Sequence, residues 1–233
     1  MGIQPVPSIN ERYQVIQPYY PEVIYGKNPW HAVSTTASLP VALDSLKTLE
    51  VSLMVSMKPY PKYNFAFDIW ITNNTESSPT DITDEVMVWL VWTPGQAGEY
   101  VLDTLNDGYN VYQHRVYKDW NMIMTSPEEQ HRYHQFTITK QGVPSRINVL
   151  AFLDHLRKEK IDFRYLASME LGNEVWHRTG ATTITKLRVD LETTQNLKSS
   201  TIQDDSNYLA RKGRIAERWS PEIIDIKSYV KPS

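Results

Sequence analysis

Asn64-Phe65-Ala66-Phe67-Asp68-Ile69-Trp70-Ile71-Thr72 is the cleanest alternating run in the chain. Successive side chains of a strand point to opposite faces, so Phe65, Phe67, Ile69 and Ile71 share one side while Ala66, Asp68, Trp70 and Thr72 share the other. The first face is core. The second places a carboxylate beside a large flat aromatic, a mixture that neither burial nor solvation alone explains. The period of two sets the class of this region as β.

The polar loop Asn73 to Asp81 leads into a second such run, Asp84-Glu85-Val86-Met87-Val88-Trp89-Leu90-Val91-Trp92. Here Val86, Val88 and Leu90 oppose Glu85, Met87 and Trp89. The short connection predicts neighbouring strands with Asp68 and Glu85 on a common face. A third run, Tyr165 to Trp176, puts Glu170, Gly172, Glu174 and Trp176 on one parity and Leu171 and Val175 on the other. Three strands thus each present an acid with a tryptophan.

Further strands are expected within Ser38 to Met57, around Tyr100-Leu102, Tyr109-Val116, Trp120-Thr125 and residues 133 to 139, with Thr182 to Leu191 as the last. Short strands at this spacing, separated by turn residues, signal an all-β sandwich or jelly roll. Residues 1 to 30, rich in Pro and Tyr, read as an extended arm ending at Trp30, which is either an aromatic platform or a core tryptophan. One α-helix is expected at about 146–158, its apolar stripe formed by Ile147, Leu150, Ala151, Leu153 and Leu156. The main domain spans residues 1–194. Residues 195–233 form a charged extension expected to pack on it, with Ser206 to Trp219 helical and Ile215 and Trp219 turned inward.

The 233 residues suffice for one large β domain, and a net charge of -3 disfavours a broad surface for nucleic acid or anionic lipid. No cysteine is present, which excludes disulfides, thiolate metal sites and a cysteine nucleophile. No apolar run approaches the ~18 residues of a membrane span. The N-terminus carries no secretory signal pattern, although a removed signal would leave the same appearance. Seven Trp and 14 Tyr against five Phe favour rings with a polar handle, suited to a wet ligand such as carbohydrate. His131 and His134, three apart in an alternating run, face opposite ways and lack a carboxylate at ligand spacing, so no metal site is read there. There is no Gly-rich phosphate loop and no Gly-x-Ser-x-Gly elbow.

Glycoside hydrolysis needs one carboxylate at the anomeric carbon, a second to protonate the leaving oxygen, and rings that stack on pyranose faces. The paired acids and tryptophans supply that equipment. Residues 64–70 resemble the Asn-x-Ala-Tyr-Asp-Leu-Phe strand of glycoside hydrolase family 12, the small jelly-roll endo-β-1,4-glucanases. Glu85-Val86-Met87-Val88-Trp89-Leu90 is similar to that family's Glu-x-Met-Ile-Trp-Leu strand, and residues 170–176 to its Gln-x-Gly-Thr-Glu-x-Phe segment. The resemblance covers roughly Trp30 to Leu191 and rests on the joint occurrence of the three motifs in order.

The resemblance implies two antiparallel sheets with a long open cleft on the concave face. It implies Glu85 as nucleophile, Glu174 as general acid/base, and Asp68 as the neighbour that orients the nucleophile. It further implies Trp30 as a stacking platform and Met87 and Trp89 as cleft floor, with Trp70, Trp120 and Glu170 as further cleft candidates. Glu170 departs from the family pattern, which usually has an amide there. The expected activity is retaining hydrolysis of internal β-1,4 bonds in cellulose-like or mixed-linkage glucan, by a monomer that needs no cofactor or metal. A polymeric substrate implies action outside the cell. A non-catalytic carbohydrate-binding jelly roll is the alternative, distinguished by whether both Glu85 and Glu174 are required.

Overall fold

Alternation becomes two stacked sheets because one face of nearly every strand is apolar. The computed structural model describes residues 22–58, 62–117, 123–125, 130–158, 164–177, 180–194, 215–219 and 224–228. In chain order the strands are β1 (Glu22–Gly26), β2 (Val41–Ala42), β3 (Leu46–Lys58), β4 (Lys62–Thr72), β5 (Ile82–Trp92), β6 (Tyr100–Asn106), β7 (Val111–Val116), β8 (Ile123–Thr125), β9 (Gln130–Ile138) and β10 (Arg146–Asn148). After helix α1 (Val149–Lys158) come β11 (Tyr165–His177), β12 (Gly180–Thr193), β13 (Ile215–Trp219) and β14 (Ile224–Ser228).

The larger sheet runs β1-β11-β4-β5-β9-β7-β6, with β2 on β11 and β8 on β9. The smaller runs β10-β3-β12-β13, with β14 also on β12. Between them lies one core, in which Phe65, Phe67, Ile69, Ile71, Val86, Val88 and Leu90 of the larger sheet meet Leu49, Val51, Leu53, Ile184, Leu187 and Val189 of the smaller. Both alternating runs therefore face as their parity predicts. Fully burying each such side chain contributes about 1.5–3 kcal/mol. Phe152 of α1 closes the β7–β9 end of this core, its ring edge-on to Tyr112 and Phe136 at 4.8 and 5.1 Å.

Several expectations need correction. The helix begins at Val149, since Arg146–Asn148 pair with Ser52–Glu50 of β3 and their backbone groups belong to that ladder. The segment 215–219 is a strand on β12 and not helix, and Thr182–Leu191 is not the last strand, because β13 and β14 follow it. The arm contains a strand, β1, on the far edge of β11. Among the described residues one ladder is parallel: β9 runs alongside β5 in the same direction, since the β6–β7 hairpin intervenes and brings the chain back. Residues 118–122, Trp120 among them, lie outside the described residues.

The edge of β12 away from β3 is covered by β13 along Val189–Thr193 and by β14 along Gly180–Ile184. A chain ending after Thr194 leaves those backbone groups unpaired and re-creates an open edge. We expect this truncation to lower Tm by about 5 °C or more, and differential scanning calorimetry of the two chains checks it.

Candidate active site

The outward face of the larger sheet gathers the acids. Its registers form rows across the strands: Ile24, Glu170, Asp68, Met87 and Gln135 in one, and Ser168, Trp70, Glu85 and Tyr133 in the next. Asp68 is therefore opposite Glu170 and diagonal to Glu85, within side-chain reach of both. Glu174 is level with Asn64, six positions along β4 from Trp70, the partner of Glu85. On a flat sheet that offset alone amounts to about 20 Å.

Glu174 is half-buried, and burial pushes its carboxyl up to about 7, opposed by a hydrogen bond from Asn64 Nδ2 and reinforced by the charge of Glu85. Glu85 is buried too, and His131 Nε2 lies 3.0 Å from its Oε2. Burial raises Asp68 well above the usual carboxylate range, with the charges of Glu85, Glu170, Glu22 and Glu174 adding to the effect. Glu170 is raised by burial against hydrogen bonds from Glu22, Ser168 and Asn28. Its Oε1 accepts from Asn28 Nδ2 at 2.7 Å and Ser168 Oγ at 2.9 Å. Glu22, which stands opposite the side-chain-free Gly172 and leans to Glu170, is pushed up to about 10 by burial and then by Glu170.

The aromatics frame these acids. Trp30 is 45% exposed and packs edge-on to the buried Trp70, ring centroids 4.8 Å apart. Its backbone N–H donates to Asn28 Oδ1 at 2.9 Å, so Asn28 ties the Trp30 loop to Glu170. Trp30 is therefore not a core residue. Met87 and Trp89 are buried with Ala66 and Tyr133, and Met87 Sδ accepts from Trp89 Nε1 at 3.4 Å and Tyr133 Oη at 3.2 Å. This makes a soft floor. Trp70 also lies edge-on to His131 at 5.8 Å. Trp176 belongs to β11 by its backbone, and its side chain is outside the described set.

The structure places Glu85, Glu174, Asp68, Glu170, Trp70, Met87 and Trp89 on one face of the larger sheet, with Trp30 against Trp70. Sequence reasoning missed Glu22, Asn28, Asn64, His131 and Tyr133. For Glu22 the usable signal is Glu22-Val23-Ile24-Tyr25, in which Val23 and Tyr25 pack on the core, but the surrounding prolines hid it. His131 and His134 do face opposite ways: the first meets Glu85, the second Asp84, which is also held by Arg132 in a two-pronged pair at 2.7 and 2.8 Å.

A carboxyl raised on folding stabilises the folded state at low pH, and that contribution is lost as pH rises past the unfolded value toward the folded one. For Glu22 this window runs from 4.5 to about 10, so at pH 7 the folded chain carries a penalty that a neutral amide avoids. Glu22→Gln is expected to raise stability by about 1–3 kcal/mol at pH 7 and to change it little at pH 4. Thermal melts of both chains at the two pH values check this.

Known proteins resemble this chain in sequence and in fold. The model of Glycosyl hydrolase family 12 matches residues 8–196. Endoglucanase S of Pectobacterium parmentieri is 30% identical over 190 residues, which are 74% of this chain and 66% of that protein. A family 12 xyloglucanase from Bacillus licheniformis solved with a ligand superposes with a TM-score of 0.61 at 25% identity, covering 77% of each chain. Endoglucanase cel12A from Rhodothermus marinus gives 0.60 at 22% identity, covering 75% of this chain and 74% of that one, a likeness of fold.

Proposed function

The chain belongs to glycosyl hydrolase family 12, and on that premise we propose that it is a retaining endo-β-1,4-glucanase acting on cellulose-like or mixed-linkage glucan. The observation that carries the reading is the carboxyl of Glu174, held near 7 by burial on the face it shares with Glu85. A general acid must hold its proton at the working pH, and burial beside a second carboxylate provides that. Glu85 attacks the anomeric carbon and forms a glycosyl-enzyme while Glu174 gives its proton to the departing oxygen. Water then attacks the same carbon, with Glu174 taking its proton and Glu85 leaving. Such a mechanism calls for carboxyl groups ~5–5.5 Å apart.

Asp68, whose carboxyl is raised by burial and by the charge of Glu85, stands diagonal to Glu85 and is suited to orient it, and His131 Nε2 lies 3.0 Å from Glu85 Oε2. Trp30 offers its exposed ring to a pyranose face, and the floor of Met87 and Trp89 accepts the apolar underside of the chain of sugars. The open sheet face needs no second subunit. A polymer that cells do not import places the enzyme outside the cell. The Bacillus licheniformis relative makes xyloglucan the second substrate to assay.

With carboxymethyl-cellulose and reducing-end detection, Glu85→Gln and Glu174→Gln are each expected to lose at least about a hundredfold in rate. Equal rates for wild type and Glu85→Gln would overturn the nucleophile, and inactivity of all three on every β-glucan would favour a binding module. Proton NMR of the first product should show the retained β-anomer.

The wild-type rate should fall as pH rises through about 7, where Glu174 loses its proton. Glu170→Gln removes a negative neighbour from the coupled acids and makes the others easier to ionise, so the acidic limb of kcat/KM should move to lower pH. A pH-rate profile identical to wild type would remove Glu170 from the titrating set.

A further inference from the structure

Three side chains from three elements converge on the sheet face away from the acids: Asp103 on β6, its cross-strand partner His114 on β7, and His155 on α1. We propose that they form a site for one divalent transition-metal cation of the zinc class, which ties α1 to the β6–β7 hairpin.

Parity separates this cluster from the catalytic face. His114 follows Tyr112 by two and points with it toward the core, and it stacks on Phe136 at 4.5 Å and 15°. The acid-bearing face of β9 carries the opposite parity, Tyr133 and Gln135. Asp103 Oδ1 lies 3.7 Å from His114 Nδ1, and Asp103 Oδ2 lies 3.0 Å from His155 Nε2. All three donors fall within 4.8 Å of one another. Zinc–nitrogen and zinc–oxygen bonds of about 2.0–2.2 Å around a tetrahedron hold donors roughly 3.3–3.6 Å apart, so one cation can touch all three with small rotations.

Satisfaction of buried polar atoms points the same way. Asp103 Oδ1 and His155 Nε2 are buried and make no hydrogen bond, so the close His155–Asp103 approach lacks hydrogen-bond geometry. Two unsatisfied donor atoms facing a common point are costly unless something binds between them. The His114 ring is fixed between Phe136 and the edge of His155, 6.0 Å away, so its orientation is set before any ligand arrives. Asp103 is 39% exposed along its side chain, which leaves a path from solvent and a position for water. Two imidazoles and one carboxylate favour zinc, cobalt, nickel or copper over calcium or magnesium, which take oxygen-only shells.

The test uses the full chain, stripped with a chelator and dialysed. Isothermal titration with zinc chloride should give one site per chain, and zinc at a hundredfold excess over Kd should raise Tm by about 5–10 °C. His155→Gln and Asp103→Asn should each weaken binding at least tenfold and abolish the rise in Tm. Cobalt(II) added to the stripped wild type should give the intense visible band of a four- or five-coordinate site, a readout that needs no variant. Absence of that band, no saturable zinc binding by wild type, or undiminished affinity in both variants would overturn the proposal. Hydrolysis of glucan enters none of these readouts, so their outcome is independent of the proposed activity.

Discussion

Crowding of carboxyl groups on one face of the β1-β11-β4-β5 segment is the constraint on which the rest depends. Glu22, Glu170, Asp68 and Glu174 are all raised, each with burial as the largest cause; neighbouring acids add to the rise at Glu22, Asp68 and Glu174, while hydrogen bonds oppose it at Glu170 and Glu174. Such a face opposes folding at neutral pH, because every proton retained is a departure from the free carboxyl's preference. The opposite face offsets it. The same strands turn Phe65, Phe67, Ile69, Ile71, Val86 and Val88 into a core shared with the second sheet, so stability and reactivity are carried by alternate residues of one backbone.

That division also explains what was legible. Parity along residues 64–72 and 84–90 correctly separates Phe65, Phe67, Ile69, Ile71, Val86, Val88 and Leu90 from Asp68, Trp70, Glu85, Met87 and Trp89, but it fails at Val91, which packs on the core beyond the register shift opposite Phe65 and Ala66. Asp68, Glu85, Glu170 and Glu174 stood out as acids where a buried strand has no use for them. Glu22 did not, since β1 is five residues long and set among prolines. His131 was hidden for another reason: its partner Glu85 reaches it only through a parallel pairing across a long crossover. Local spacing cannot express such a contact. The helix start failed similarly, because Ile147 fits a helical stripe as well as it fits a strand, and β3 takes it.

The relation between Glu85 and Glu174 rests on backbone shape more than on residue choice. Six positions of β4 separate their partners, an offset that only bending and twisting of the strands between them can shorten. The means are visible in the ladders. β4 and β5 change register between Phe65 and Ala66 and again between Ile71 and Thr72, while β4 and β11 do so at Leu166/Ser168 and Val175/His177. A bulge bends its strand and increases local twist. Along β4 the shifts fall at Lys62/Tyr63, Phe65/Ala66, Trp70/Ile71 and Ile71/Thr72, so residues 66–70 form the regular stretch with Asp68 at its middle. Trp70, the partner of Glu85, is the last residue of that stretch, and Asn64, the partner of Glu174, lies beyond its other end. The path from Glu85 to Glu174 thus runs through register shifts in ladders that the alternating pattern reads as straight.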